Sequence, residues 1–173
     1  MKKFALRIAV AAMAVLMLFS AVGCAVTDSA QSDLVRHDVE GGISISLPPD
    51  FEEADPEGFH YVIANEDVKV MFVRDPYENF FNMGLENLVD ADLGLYAEIF
   101  GLYYEFSTVF APDENGNYVA THRATEDGEM HFYYATLRKG SDSFWAIYFN
   151  CKDSDADKYI DRFPVWNNTI TVE

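Results

Sequence analysis

Residues 129–150 read EMHFYYATLRKGSDSFWAIYFN, and this stretch decides the fold. Two aromatic runs, over 129–138 and 144–150, flank Gly140-Ser141, a pair typical of a turn between antiparallel strands. Pairing Lys139 with Asp142 would place aromatic side chains on both faces of the resulting sheet. One face would pair Phe132 with Phe149, Tyr134 with Ile147 and Thr136 with Trp145, and the other Tyr133 with Tyr148 and Leu137 with Phe144.

A sheet that is apolar on both faces must be covered on both faces. The pattern therefore predicts a three-layer α+β domain, with an antiparallel sheet of about six to eight strands flanked by helices. Further strands are predicted from alternating or aromatic runs and from turn residues such as Asn115-Gly116. They cover residues 43–47, 59–63, 68–73, 103–110, 118–126 and 169–172.

Two segments supply the helices of this prediction. Residues 77–100 have apolar side chains recurring near one face of a helix, although Gly84, Gly94 and Gly101 weaken its continuity. Residues 155–163 form a second, shorter candidate. Together with the strands they define one domain over residues 43–173.

Three short motifs resemble the PsbP-like and DcrB-like superfamily. They are ISISLP at 43–48, the aromatic strand FWAIYF at 144–149, and NTITV at 168–172 after a short helix. The resemblance implies an antiparallel sheet between helices. Members share this fold without sharing an activity, so the resemblance assigns no functional residue.

The N-terminus has the three parts of a secretory signal peptide. Lys2, Lys3 and Arg7 provide the basic start, residues 8–19 contain no polar side chain, and small residues precede Cys24. The strongly apolar part is about 12 residues long, which suits a signal peptide better than a membrane span.

The cysteine after Ala21-Val22-Gly23 resembles the lipobox of bacterial lipoproteins, although Ala21 occupies a position usually held by Leu. The resemblance implies cleavage before Cys24, a diacylglyceryl group on its thiol and acylation of the new amino end. Two or more acyl chains anchor a protein stably. We therefore expect a lipoprotein on the extracytoplasmic face of the cell membrane. An ordinary cleaved signal and an uncleaved anchor over 8–27 remain open alternatives.

Removal of residues 1–23 leaves a strongly acidic chain. The chain has 12 basic and 29 acidic residues, and residues 1–23 hold three of the basic ones, so the remainder has a net charge of −20. This charge argues against nucleic acid as a partner. Residues 24–42 are polar and end in Gly41-Gly42, which predicts a flexible tether. With Cys24 acylated, Cys151 has no partner for a disulfide and is expected to be an inert, partly buried thiol.

Two patterns invite a metal-site interpretation, and neither meets the requirements. Residues 153–157 read DSDAD, like the start of an EF-hand loop, but Lys158 and Pro164 replace the required glycine and glutamate. Helix capping by Ser154 is the better interpretation. In the register above, His122 and His131 share a sheet face as diagonal neighbours, with Glu126 and Glu129 nearer the turn. No local metal-binding motif accompanies them, and we predict no metal or cofactor.

The sequence contains no nucleophile elbow, glycine-rich phosphate loop or zinc-protease motif. We therefore predict a non-catalytic binding or adaptor domain with an envelope protein as partner. A small-molecule carrier with an apolar pocket in the aromatic core is the alternative, and an enzyme is less favoured. Five aromatic residues are candidates either for the core or for a groove that anchors a partner: Tyr77, Phe80, Phe81, Tyr103 and Tyr104.

Overall fold

A computed structural model describes residues 33–90 and 92–173 of the chain. The predicted signal peptide and the predicted acylation site at Cys24 lie outside the described residues. The strands are β1 Val35–Val39, β2 Ile43–Leu47, β3 Glu52–Glu53, β4 Tyr61–Ala64, β5 Val68–Pro76, β6 Ala111–Pro112, β7 Tyr118–Glu126, β8 Glu129–Lys139, β9 Ser143–Lys152 and β10 Thr171–Val172. The helices are α1 Tyr77–Asn82, α2 Glu86–Asp90, α3 Leu93–Tyr103, α4 Ala156–Tyr159 and α5 Arg162–Asn167, with a 3-10 turn at Asp153–Asp155.

A seven-stranded antiparallel sheet forms the centre of the domain, in the order β3-β4-β5-β9-β8-β7-β6. β9 lies in the middle, and every residue from Ser143 to Cys151 is buried. A central strand flanked on both sides and covered on both faces has no position for an exposed side chain, which explains its continuous apolar run. The predicted α+β class with an antiparallel sheet and helices is confirmed.

The β8–β9 register differs from the prediction by two residues. Phe132 lies opposite Cys151 and Tyr134 opposite Phe149. Four residues form the turn where the prediction had two, since Lys139 pairs with Phe144 and the Gly140 N–H donates to the Ser143 carbonyl at 2.9 Å. A shift of two residues keeps every side chain on its predicted face, because strand side chains alternate with a period of two.

One face of the sheet is closed over an aromatic core. Phe132, Trp145, Ile147 and Phe149 are fully buried there, while Tyr134 is half-buried. Phe163 of α5 covers them, with its ring centroid 5.4 Å from that of Phe149 and 6.2 Å from that of Phe132. The predicted burial of this face is therefore confirmed for four of the five side chains, and Tyr134 lies at its margin.

A second, three-stranded sheet in the order β1-β2-β10 joins the helices on the closed face. In the turn between β1 and β2, the ring of Trp145 lies so close to Gly41 that a Cβ at that position would stand 3.1 Å from it. The predicted flexible tether over 24–42 is therefore wrong at its C-terminal end, because Val35–Val39 pairs with Ile43–Leu47. Val39 is the one buried apolar residue of β1, so the strand is held mainly by its backbone hydrogen bonds to β2. Its side chains therefore do not show the alternating pattern from which a strand is predicted.

The predicted long helix over 77–100 is three short helices. The first of them, α1, ends just before Gly84, whose φ of +72° is incompatible with a continued helix. The predicted strand over 103–110 is wrong: α3 extends to Tyr103, and Glu105 has a φ of +53° that ends the helical segment. No helix among the described residues is both long enough and apolar enough to cross a membrane.

Cys151 lies near the end of β9, opposite Phe132 of β8 and Val68 of β5. Its side chain is 1% exposed, and its thiol forms no disulfide among the described residues. Burial, with the negative charge of Asp155 next in importance, raises the pKa of Cys151 to about 11. The thiol is thus protonated at neutral pH, as expected of a structural cysteine.

Candidate functional site

Helix α3 is apolar around most of its circumference. Its sequence is LGLYAEIFGLY, with Glu98 as its charged residue. Tyr96, Ala97 and Phe100 are buried against the sheet, so the inward face is satisfied. The outward face still carries large apolar side chains, and Leu102 and Tyr103 are 75% and 78% exposed. A helix that is apolar all round normally lies inside a protein or a membrane, so this outward face lacks the cover its sequence favours.

The inward contacts of α3 fix the helix on the second face of the sheet. Tyr96 stacks on Phe144 of β9 with ring centroids 4.1 Å apart. The Tyr96 hydroxyl donates to Asp75 at the end of β5, over 2.5 Å. Asp92 caps the helix by accepting from the Leu95 N–H at 3.2 Å. The outward face is therefore held in place by a well-packed inner face.

An apolar groove of about 560 Å³ lies between α3 and the two short helices before it. Its volume falls within the range of small-molecule sites. The Tyr96–Asp75 hydrogen bond lies in its wall, where the polar groups satisfy each other. The apolar lining consists of Phe80, Met83, Leu85, Leu88, Leu95, Tyr96, Ile99, Phe100, Tyr103 and Tyr104.

A second groove of about 400 Å³ follows the opposite side of α3. Gly94, Ala97 and Gly101 form its helical wall, and the loop residues Phe106 and Val109 are among those facing them. The space beside Gly94 is taken by the Tyr118 hydroxyl and that beside Gly101 by the Phe110 ring, so the helix lies close to both side chains. The exposed apolar ridge of α3 thus stands between two depressions.

The segment of chain that forms this surface carries acidic residues and no basic ones. From Asp75 to Thr121 the chain contains nine acidic residues and no Lys, Arg or His. Glu78, Asp90, Asp92, Glu98 and Glu105 are all exposed. Lys139 reaches this layer from β8, and its ammonium donates to the Val89 carbonyl at 2.6 Å. An apolar surface in an acidic surround is the result.

Tyrosine hydroxyls near the groove stay protonated at neutral pH. Burial raises the pKa of Tyr96 strongly, and the Asp75 carboxylate adds to that rise. Burial also raises the pKa of Tyr104, again with Asp75 as the next cause. Both hydroxyls therefore keep their protons, that of Tyr96 being donated to Asp75, and carry no charge that would change the groove between pH 5 and 9.

The structure divides the five candidate aromatic residues between core and surface. Phe80, Tyr103 and Tyr104 line the groove. Tyr77 belongs to the core side, because its hydroxyl donates to the Gly140 carbonyl at 2.7 Å and its ring packs on Phe144. Phe81 is 48% exposed and lies outside the groove lining. The groove interpretation therefore applies to three of the five.

Sequence reasoning missed most of the apolar surface, above all Met83, Leu85, Leu95, Ile99 and Leu102. The exposed fraction of each exceeds two fifths of the side chain. The sequence of α3 does indicate a second apolar face. Leu95, Ile99 and Leu102 repeat at helical spacing, and they lie on the side opposite the buried residues of the helix. A segment with two apolar stripes needs two apolar environments.

The two histidines occupy the predicted places, with His122 opposite Tyr133 and His131 opposite Ala124. Their ring nitrogens are engaged separately: His122 Nδ1 lies 3.0 Å from Ser107 Oγ, and His131 Nδ1 lies 3.2 Å from Asn150 Oδ1. Glu126 accepts from the Tyr133 hydroxyl. Among the described residues, no three His, Cys, Asp or Glu side chains are grouped to hold a metal ion.

The acidic run at 153–157 starts a helical turn, as predicted, but the predicted cap by Ser154 is wrong. Ser154 Oγ contacts only Asp155 Oδ2, at 3.5 Å, and no side chain caps this turn. Asp153 instead pairs with Arg123 Nε at 2.6 Å. This partly exposed ion pair links the start of the turn to β7, and the remaining carboxylates favour the positive end of the helix.

Neither a protein-family model nor a curated protein sequence matches this chain. A crystal structure from Bacteroides thetaiotaomicron VPI-5482 has a similar fold, with a TM-score of 0.51 and 13% identity. The match covers 80% of this chain and 48% of the other, so this chain spans about half the length of that protein. Identity this low shows the fold alone.

Three further solved structures are similar at a lower level. Cyanobacterial PsbP from Synechocystis sp. PCC 6803 has a TM-score of 0.44 and 8% identity, over 87% of this chain and 98% of that one. LpqN of Mycobacterium tuberculosis, involved in cell envelope biogenesis, gives 0.45 and 10%, over 80% and 91%. The Saccharomyces cerevisiae Ran-binding protein Mog1p gives 0.43 and 10%, over 80% and 95%.

Proposed function

We propose that this protein is a lipid-anchored, non-catalytic binding protein of the bacterial cell envelope. Cys24 carries the anchor, and the domain lies on the extracytoplasmic side of the membrane. The domain binds its partner on the surface of α3 and in the groove beside it. The partner is an envelope protein.

The observation that carries this proposal is the outward apolar face of α3. Leu95, Ile99, Leu102 and Tyr103 are each more than two fifths exposed and lie on one helix. Monomeric proteins rarely leave a contiguous apolar patch of this kind without a binding role. Large apolar and aromatic side chains beside a pocket are the usual anchors of protein interfaces.

The chemistry of the groove favours binding over catalysis. The hydroxyl of Tyr96 and the carboxylate of Asp75 bind each other, which leaves no free base beside a nucleophile in that wall. Most other lining groups are apolar. Such a surface can exclude water and position an apolar group, but it has little means to transfer a proton.

A small-molecule carrier is the second candidate, and the groove volume of about 560 Å³ favours it. The groove lies at the helix layer, so the ligand would sit beside the aromatic core and not within it. A carried ligand would have to be apolar over most of its length. The two candidates predict different molecules in contact with Ile99 in the cell: a protein for the first and a small apolar ligand for the second.

The anchor is tested by replacing the acylation site. The full chain should fractionate with membranes, and mass spectrometry of its mature N-terminus should find acylated Cys24. Cys24→Ser should release the protein or leave it unprocessed, because a serine hydroxyl does not accept the lipid in place of the thiol. An unmodified N-terminus elsewhere would overturn the lipoprotein interpretation.

The binding surface is tested by photocrosslinking in living cells. The full chain carries p-benzoylphenylalanine in place of Ile99, which is 46% exposed in the groove wall. The same group in place of Ile160, which is 43% exposed between α4 and α5, provides the matched control. We expect adducts at position 99 only. A protein adduct supports the binding protein, a lipid-sized mass supports the carrier, and equal labelling at both positions contradicts both.

A further inference from the structure

We propose that the occupant of the groove is a cationic amphipathic helix of a partner protein, apolar on one side and rich in Lys or Arg on the other. This inference rests on the proposed binding function of α3 and adds the chemistry of its partner. Its basis is the combination of an exposed apolar ridge with an acidic surround that contains few basic groups.

The shape of the surface fits a helix. Leu95, Ile99 and Leu102 are spaced by four and three residues, so they form one ridge along α3. The depressions beside the ridge, about 560 Å³ and 400 Å³, can receive side chains from a second helix packed along it. Helix-in-groove recognition uses apolar anchors at this spacing.

The charge of the surface selects the sign of the partner. Glu98 projects from α3 among the exposed apolar side chains, and Glu105 lies two residues beyond the end of the helix. Asp92 at the start of α3 and Asp90 before it add acidic groups at the other end. Acidic groups at both ends of an apolar ridge attract Lys or Arg flanking an apolar stripe, and they repel an acidic helix.

The same charges disfavour two other occupants. A second copy of the chain would bring the acidic surround of one ridge against that of the other, because a two-fold interface places the same patch on both sides. An anionic lipid surface would repel the acidic surround of the ridge. A cationic helix is the occupant for which both the apolar and the charged parts of the surface are favourable.

The test measures binding of two designed peptides to the full acylated chain in phosphatidylcholine nanodiscs. Each peptide is about five helical turns long, with leucine on one face and a fluorophore at the N-terminus. The opposite face carries lysine in one peptide and glutamine in the other. Fluorescence anisotropy, corrected with empty nanodiscs, gives the dissociation constants. We expect the lysine peptide to bind at least about tenfold more tightly at low salt and to lose most of this advantage at about 500 mM salt.

Two variants locate the effect. Ile99→Ser should weaken both peptides about tenfold, whereas Ile160→Ser, at a similarly exposed isoleucine elsewhere, should change neither. The double variant Glu98→Gln and Glu105→Gln should weaken the lysine peptide about three- to tenfold and leave the glutamine peptide unchanged. Glu52→Gln with Glu66→Gln removes two exposed carboxylates that line neither groove and serves as the charge control.

The outcomes separate this inference from the function on which it rests. Equal binding of the two peptides, both weakened by Ile99→Ser, overturns the cationic partner and leaves the binding surface intact. Failure of both peptides to bind overturns the helical partner, while adducts at position 99 in cells test the surface without either peptide. Equal loss in the charge control overturns the role of Glu98 and Glu105.

Discussion

The two faces of the central sheet are built from the same strands but are covered in different ways. On one face, Phe149 and its neighbours lie under α4, α5 and a small sheet, and the covering elements turn mostly polar groups outward. On the other face, Phe144 and Tyr148 lie under α3, which is apolar outside as well as inside. Burial of the sheet therefore accounts for the composition of the first covering layer and only in part for that of the second.

The largest expected effect comes from opening the closed face. Phe149→Ala should cost about 3–5 kcal/mol in the free energy of unfolding, because a fully buried ring leaves a cavity beside Phe163. Denaturant titration followed by tryptophan fluorescence measures it, with parent and variant compared at equal slope. A cost below about 1 kcal/mol would mean that the closed face is not the more tightly packed of the two faces of the sheet.

An intermediate effect is expected where α3 is tied to the sheet. Tyr96→Phe removes the hydroxyl that donates to Asp75 and should cost about 1–2 kcal/mol. Tyr103→Phe removes a hydroxyl from a side chain that is 78% exposed and is the control, with no expected change. Equal stability of the two variants would show that α3 is held by ring packing alone.

A smaller, pH-dependent effect is expected at the edge of the closed face. Asp67, before β5, accepts from Lys158 and from the Tyr159 hydroxyl at 2.7 Å, and these bonds lower its pKa, with Lys158 the larger cause. A carboxyl whose pKa is lower in the folded state stabilises the fold above its ordinary pKa of about 4 and loses this contribution as the pH falls.

Asp67→Asn should therefore lower the melting temperature slightly at pH 7, and this difference should shrink progressively as the pH falls below about 4. The measurement is thermal unfolding of both proteins across this pH range. A difference that persists unchanged at pH 3 would assign the effect to packing and not to the charge of Asp67.

The smallest expected effect is on the outward face of α3. Leu102→Ser should change the free energy of unfolding by less than about 0.5 kcal/mol, since the side chain is 75% exposed and supports little of the core. Chemical unfolding beside the parent provides the measurement. A loss approaching that of Phe149→Ala would place Leu102 in the core and remove the contrast between the two faces.

The sequence predicted the faces of β8 and β9 but not their register. Alternation assigns Phe132 and Trp145 to one side whatever the turn length, as long as the shift is even. The turn is longer than predicted because Asp142 does not pair with Lys139. Its carboxylate instead binds the Arg74 guanidinium at 2.6 Å. That contact joins residues 68 positions apart, which local turn rules do not include.

The candidate site was predictable only in part, for a related reason. Aromatic residues such as Tyr103 and Tyr104 stood out by type, but their exposure depends on where α3 ends, and the sequence rules favoured a strand there. Glu105 in the left-handed region ends the helical segment, a conformation that Glu rarely adopts and that its sequence position does not reveal. β1 was missed because its backbone, and not its side chains, holds it to β2.

The thiol of Cys151 can be used as a chemical probe of how often the closed face of the sheet opens. A thiol that is 1% exposed and has a pKa of about 11 reacts with a disulfide reagent only when the β5–β9–β8 region separates and lets the reagent reach it. Its labelling rate under native conditions thus measures the frequency of that opening, in the way that amide exchange does for a backbone group. Oxidants in solution would leave this cysteine intact for as long as the sheet stays closed.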